Sequence, residues 1–129
     1  MCRVKLDQYN KLNYFEEATN YAALLAKKAL ENSKKKILIA GSIPTQGIVY
    51  SEEIVADDKE TYSGFYETAK ILNPNVDLFY LDVLSRLKEI KIAFDAIKSF
   101  KKPILIGVHL LKNGLLPVSY THLTLPTKA

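Results

Sequence analysis

The sequence predicts an α/β fold of about three parallel strands joined by crossover helices, and three observations carry that prediction. Hydrophobic periodicity switches repeatedly between a helical spacing and short continuous apolar runs, in the order α-β-α-β-α-β. The runs Ile37-Leu38-Ile39-Ala40, Val76 to Leu81 and Ile104 to Val108 are mainly apolar without alternation, which suits parallel strands covered on both faces. The segments between them are long enough for right-handed helical crossovers. Periodicity alone leaves two architectures open, a doubly wound sheet and a slice of a closed barrel.

Each element has its own signals. Phe15, Ala18, Ala22, Leu25, Ala26 and Ala29 recur at three and four residues, so Asn13 to Asn32 reads as an amphipathic helix. The first strand, Ile37 to Ala40, stops at Gly41. A segment with little periodicity follows to Ala56, carrying Pro44 and Gly47. Asp57 is a good N-cap, and Glu60 three residues on resembles the reciprocal capping pattern. Tyr62, Phe65, Ala69 and Leu72 give that helix its apolar face, and Asn73-Pro74-Asn75 ends it. After the second strand, Ser85 is positioned to cap a helix with the stripe Leu87, Ile90, Phe94 and Ile97. Lys101-Lys102-Pro103 closes that helix, and Asn113-Gly114 marks a turn after the third strand.

Composition bounds the function. With 129 residues, 48% hydrophobic and 25% charged, the chain has the profile of one globular domain. No apolar run approaches the roughly 20 residues of a membrane span. The N-terminus has no signal-peptide core, so a cytoplasmic location is expected. The formal charge of +4 and pI of about 9.1 raise the question of nucleic acid. The lysines, however, cluster at element ends, as in Lys34-Lys35-Lys36 and Lys101-Lys102, where they complement helix dipoles. Arg3 and Arg86 are the only arginines. No nucleic-acid partner is therefore expected. The single cysteine, Cys2, forms no internal disulfide and makes no zinc site by itself.

The last twelve residues, Val118 to Ala129, fit no element of the pattern. Val118-Ser119-Tyr120-Thr121-His122-Leu123-Thr124-Leu125-Pro126-Thr127 resembles one reading frame of the transposon-end adapter used in DNA sequencing libraries. Residues 1–117 are thus expected to form the domain and 118–129 a non-native tail. Without Lys128 the formal charge falls by one, and His109 remains as the native histidine.

Ile37-Leu38-Ile39-Ala40-Gly41-Ser42-Ile43-Pro44 resembles a strand-and-loop signature of the homocysteine S-methyltransferase family, zinc-dependent and betaine–homocysteine methyltransferase-like. Later segments arrive in the family's order: Val76-Asp77-Leu78-Phe79-Tyr80-Leu81-Asp82 where the family reads Val-Asp-Leu, three apolar residues and Glu-Thr-Met, then Glu89, then Lys102-Pro103-Ile104-Leu105-Ile106, then Asn113-Gly114-Leu115-Leu116. The resemblance implies a partial (β/α)₈ TIM barrel, from the second helix to the fifth strand. It implies a parent enzyme that moves a methyl group from a sulfonium or ammonium donor to the zinc-activated thiolate of homocysteine, giving methionine. In the family three cysteines hold the zinc, one after the sixth strand and a pair near the barrel's end. None of these matches a residue here, so this chain is expected to bind no metal and to be inactive.

The resemblance also nominates substrate-binding positions at strand ends, where (β/α)₈ barrels carry their sites. Asp82 stands where the family's glutamate pairs with the substrate ammonium, one methylene shorter and reaching roughly 1.5 Å less far. Its other reading is a cap for the following helix. Gly41 either lets backbone approach a ligand or simply turns the chain. Ser42 offers a hydroxyl to the substrate carboxylate or to backbone, and His109 lines the pocket or closes its strand. Glu89 is expected to serve packing or charge pairing. A different class of function, a short non-catalytic domain binding a partner through its sheet edges, stays open because bare edges are adhesive. A phosphate loop is a weak rival, since Gly41 to Gly47 lacks the terminal Gly-Lys-Ser/Thr.

Overall fold

A computed structural model of the chain describes residues 2–31, 33–47 and 56–116. Its elements are α1 (Arg3–Gln8), α2 (Phe15–Glu31), β1 (Ala40–Pro44), α3 (Asp58–Leu72), β2 (Leu78–Leu84), α4 (Leu87–Ile97) and β3 (Ile104–Val108), with short 3-10 turns before α2 and after α3 and α4. The sheet order is β1-β2-β3, and both pairings are parallel. The chain is therefore α/β with three parallel strands and helical crossovers, a partial β/α fold.

Local chemistry accounts for most boundaries. Asp57 caps α3 by accepting the Glu60 N–H at 2.8 Å, satisfying one of the free amides of the first turn. The cap of α4 differs from the expectation: Arg86, not Ser85, is the N-cap, and it makes no side-chain cap bond. Ser85 is buried instead. Lys102 reaches back from the start of β3, its ammonium donating to Asn73 O at 2.5 Å and to Val76 O. It thus closes the carbonyl end of α3 rather than the helix it follows. The Asn113-Gly114 turn forms, with Gly114 at φ 78° and the Leu115 N–H donating to Asn113 Oδ1 at 3.1 Å.

The first strand lies three residues later than its apolar run suggested. Ile37 and Leu38 are 48% and 61% exposed, and pairing starts at Ala40, opposite Leu78. Asp77 sets that start from both sides. Its carboxylate accepts the Ile39 N–H at 2.7 Å, and its own N–H donates to Ile39 O at 2.8 Å. Upstream of Asp77 there is no β2 to pair with, so apolarity alone does not extend the ladder.

The core lies between the sheet and the helices on one face. Ile43, Phe65, Ala69, Phe79, Leu81, Leu84, Ala93 and Ile97 are wholly buried. The opposite face is open: Ala40 and Ser42 on β1 and Leu105 on β3 are exposed. Strands apolar on both faces were expected to be covered on both. Among the described residues only the helix side is.

Helix α3 buries Phe65, Ala69 and Leu72 of its expected face, whereas α2 and α4 bury stripes that coincide only in part with those the spacing suggested, at Phe15 and at Ile97. On α2 the buried residues are Phe15, Thr19 and Ala23, whereas Ala22, Leu25 and Ala29 are exposed. On α4 they are Glu89, Ala93, Ala96 and Ile97, while Phe94 is 44% exposed. Both outer helices carry an apolar flank turned away from this core.

Candidate functional site

The site is assembled at the C-terminal end of the sheet, where β1 and β2 deliver alternate residues to the open face. Side chains two apart on a strand share a face. Ser42 and Pro44 therefore stand beside their register partners Tyr80 and Asp82, with Gly41, Ile43, Phe79 and Leu81 directed at the helices. Gly41 accordingly faces inward: a β-carbon there would lie 3.1 Å from Val76 Cγ1 and 3.3 Å from Leu72 Cδ1. Its small size permits close packing of β1 against α3.

Asp82 has a partner that sequence reasoning did not find. The Tyr80 hydroxyl donates to its carboxylate, and Asp82's negative charge, then burial, then this hydrogen bond hold the Tyr80 phenol above its ordinary pKa of 10.0. The carboxylate keeps further lone pairs for a donor on the open face. Gly107 on β3 makes room for the ring, since a β-carbon there would fall 2.5 Å from the Tyr80 hydroxyl. The signal was available: Tyr80 and Asp82 are two apart in a strand.

The backbone next to Asp82 is irregular. Pairing with β3 is regular from Phe79↔Ile104 to Leu81↔Ile106, then shifts before Leu84↔Val108. Val83 sits in this bulge at φ 52°, a left-handed conformation that costs a β-branched residue about 1–2 kcal/mol. Bulges of this kind re-aim side chains beside binding sites. His109 lies just beyond β3, its N–H donating to Leu84 O at 3.2 Å, so it joins the same end of the sheet.

Glu89 holds the loop after β1. It is 6% exposed, and one oxygen accepts both the Thr45 hydroxyl at 2.6 Å and the Gln46 N–H at 2.8 Å. Gln46 is itself buried, its Nε2 donating to Pro44 O at 3.0 Å, and Cys2 Sγ lies 3.8 Å from its Oε1. Gly64 on α3 accommodates this amide, because a β-carbon there would lie 2.3 Å from Gln46 Oε1.

Beside β1 a groove of about 650 Å³ runs along the alanine flank of α2, with Gly41, Ser42, Asp82 and Cys2 among its lining residues. Thr19, 5% exposed, also lines it, and among the described residues its hydroxyl has no hydrogen-bond partner. Three of the four nominated positions, Gly41, Ser42 and Asp82, thus meet at one groove, and His109 is at the neighbouring strand end.

The described residues do not fit a resident zinc ion, since no three His, Cys, Asp or Glu side chains among them converge. Nor, among them, is any helix long and apolar enough to cross a membrane.

The family model for homocysteine S-methyltransferase matches residues 2–119. The chain belongs to that family. No curated protein matches it significantly. Homocysteine S-methyltransferase membership gives the nominated positions a chemical context, because the match covers β1, β2 and β3 with all four of them. It supports a methyltransferase-type function for the protein and small molecules as its substrates.

Proposed function

We propose that this chain carries the homocysteine-facing strands of a (β/α)₈ methyltransferase, and that by itself it is inactive. The reaction is methyl transfer from a sulfonium or ammonium donor to the thiolate of homocysteine, giving methionine. The observation that carries this reading is Asp82. Within a chain of this family, it is a carboxylate electrostatically paired with Tyr80 beside a backbone bulge on the open sheet face.

Asp82 would hold the substrate ammonium by a charge-assisted hydrogen bond. Ser42, one strand over on the same face, would offer its hydroxyl to the substrate carboxylate. A free thiol with a pKa near 8.5 is only a few per cent ionised at neutral pH. Family chemistry therefore calls for a zinc-held thiolate, and a chain with one cysteine needs sulfur ligands from outside this sequence. Residues 118–129 are proposed to be a non-native tail.

The test is the gene's reading frame downstream of the Pro117 codon in uncontaminated DNA. Cysteine-bearing Gly-x-Asn-Cys and Gly-Gly-Cys-Cys segments are expected there. With them restored, the product should methylate homocysteine, and Asp82→Ala should raise KM for homocysteine about tenfold or more, as loss of a charged hydrogen bond does. A native stop codon at that point, or an unchanged KM, removes the reading.

A further inference from the structure

The Asp82 side chain reaches roughly 1.5 Å less far than a glutamate would, and the residue two before it stands where it can make up the difference. Tyr80 and Asp82 alternate with the buried Phe79 and Leu81 along β2, so both lie on the open face. Tyr80 is in register with Ser42 on one side and Leu105 on the other. Its phenol nevertheless lies over Gly107, where a β-carbon would fall 2.5 Å from the hydroxyl and 3.0 Å from Cζ. The ring therefore leans two residues up the sheet, about 6–7 Å, and carries its hydroxyl from the level of Ser42 to that of Asp82. That is the end of the strands at which (β/α)₈ barrels bind their substrates. Glycine at position 107 is what lets the ring lie there, since any side chain would displace the hydroxyl.

We propose that the Tyr80 hydroxyl oxygen is a second acceptor for the substrate ammonium, beside the Asp82 carboxylate. The inference rests on the methyltransferase reading and adds to its homocysteine site a contact that Asp82 alone does not supply. A phenol carries one proton and can also accept. The Tyr80 proton goes to Asp82, which leaves the oxygen's lone pairs for an incoming donor. An ammonium group has three N–H bonds to place. One meets the carboxylate in a charge-assisted bond, and a second meets the phenolic oxygen. Because Asp82's charge holds the phenol above its ordinary pKa, Tyr80 stays neutral and adds an acceptor without adding a second negative charge. The two residues thus form one unit, in which a hydroxyl is gained at Tyr80 where a methylene is lost at Asp82.

The test measures KM for homocysteine in the enzyme whose downstream reading frame is restored. Tyr80→Phe should raise KM about tenfold and change kcat by less than about twofold, because the ammonium is held alike before and during methyl transfer. In a second background carrying Asp82→Glu, the longer carboxylate reaches the ammonium by itself. There the same Tyr80→Phe change should alter KM by less than about twofold. A phenol that only packed on β3 would give the same loss in both backgrounds, and equal losses overturn the proposal. Gly107→Ala keeps the phenol but displaces its hydroxyl, and it too should raise KM about tenfold; circular dichroism checks that each variant folds. An unchanged KM in Tyr80→Phe or in Gly107→Ala, beside a raised KM in Asp82→Ala, overturns the Tyr80 contact and leaves the methyltransferase reading standing. An unchanged KM in Asp82→Ala removes both.

Discussion

Without the Glu89 carboxylate, the Thr45 hydroxyl and the Gln46 N–H would lose their shared buried acceptor. Each unsatisfied buried donor costs about 1–3 kcal/mol, so Glu89→Ala should lower unfolding stability by about 2–4 kcal/mol. Glu89→Gln keeps an acceptor oxygen and should cost roughly half as much; equal losses in urea titrations would contradict the hydrogen-bonding role. The sequence placed Glu89 on a helix and read it as packing or charge pairing, but which loop crosses that helix face is a tertiary fact. Tyr80 gives a second prediction at this scale. Its phenol pKa is raised in the folded chain, chiefly by Asp82, so the unfolded chain loses this proton first. Stability from the pair is therefore fully present below about pH 10 and is lost as pH rises through the higher folded value. Tyr80→Phe should remove that part of the alkaline decline. Gly107→Ala, which pushes on the hydroxyl, should return the phenol pKa towards its ordinary value in a difference titration by ultraviolet absorbance.

Within α3, Gly64 has an effect opposite to its helix propensity. Alanine there gains about 1 kcal/mol in an exposed helix. Here the new methyl would meet Gln46, which is 1% exposed and bonded to Pro44, and overpacking a filled core costs about 1–3 kcal/mol. Packing should win, and Gly64→Ala should lower the thermal midpoint; a raised midpoint would show that Gln46 moves freely. Within β2 the sign reverses. Val83 holds φ 52° and is partly exposed, so Val83→Gly removes about 1–2 kcal/mol of left-handed strain against about 0.5–1 kcal/mol of added chain entropy. A gain of about 0.5–1 kcal/mol in chemical denaturation is expected. The bulge explains why the second strand runs to Leu84 rather than stopping at Leu81. Composition could not show it, because the register shift depends on β3 arriving at Val108.

At the scale of the molecule, among the described residues one sheet face is covered by helices and the other is open, and both outer helices turn apolar flanks away from the core. The exposed flanks account for the misassigned stripes. Ala22, Leu25 and Phe94 obey helical periodicity, but periodicity reports that a face is apolar and says nothing about which neighbour covers it.

The amino-acid sequence alone determined the element order from α2 onward, though not the short α1 before it, together with the parallel α/β class, the Asp57 cap, the Asn113-Gly114 turn and the family signature around Ala40-Gly41-Ser42. All of these are local, written in spacing and in single residues with strong backbone preferences. Only the tertiary structure decided that β1 starts at Ala40, that Tyr80 pairs with Asp82, that Glu89 clamps the loop at Thr45 and Gln46, and which helix flanks stay bare. The strand start and the Glu89 clamp depend on segments tens of residues apart meeting at hydrogen-bond distance, the helix flanks depend on which elements pack beside them, and the Tyr80–Asp82 pair depends on the strand conformation that sets two near neighbours on one face. Local patterning constrains such meetings without specifying them.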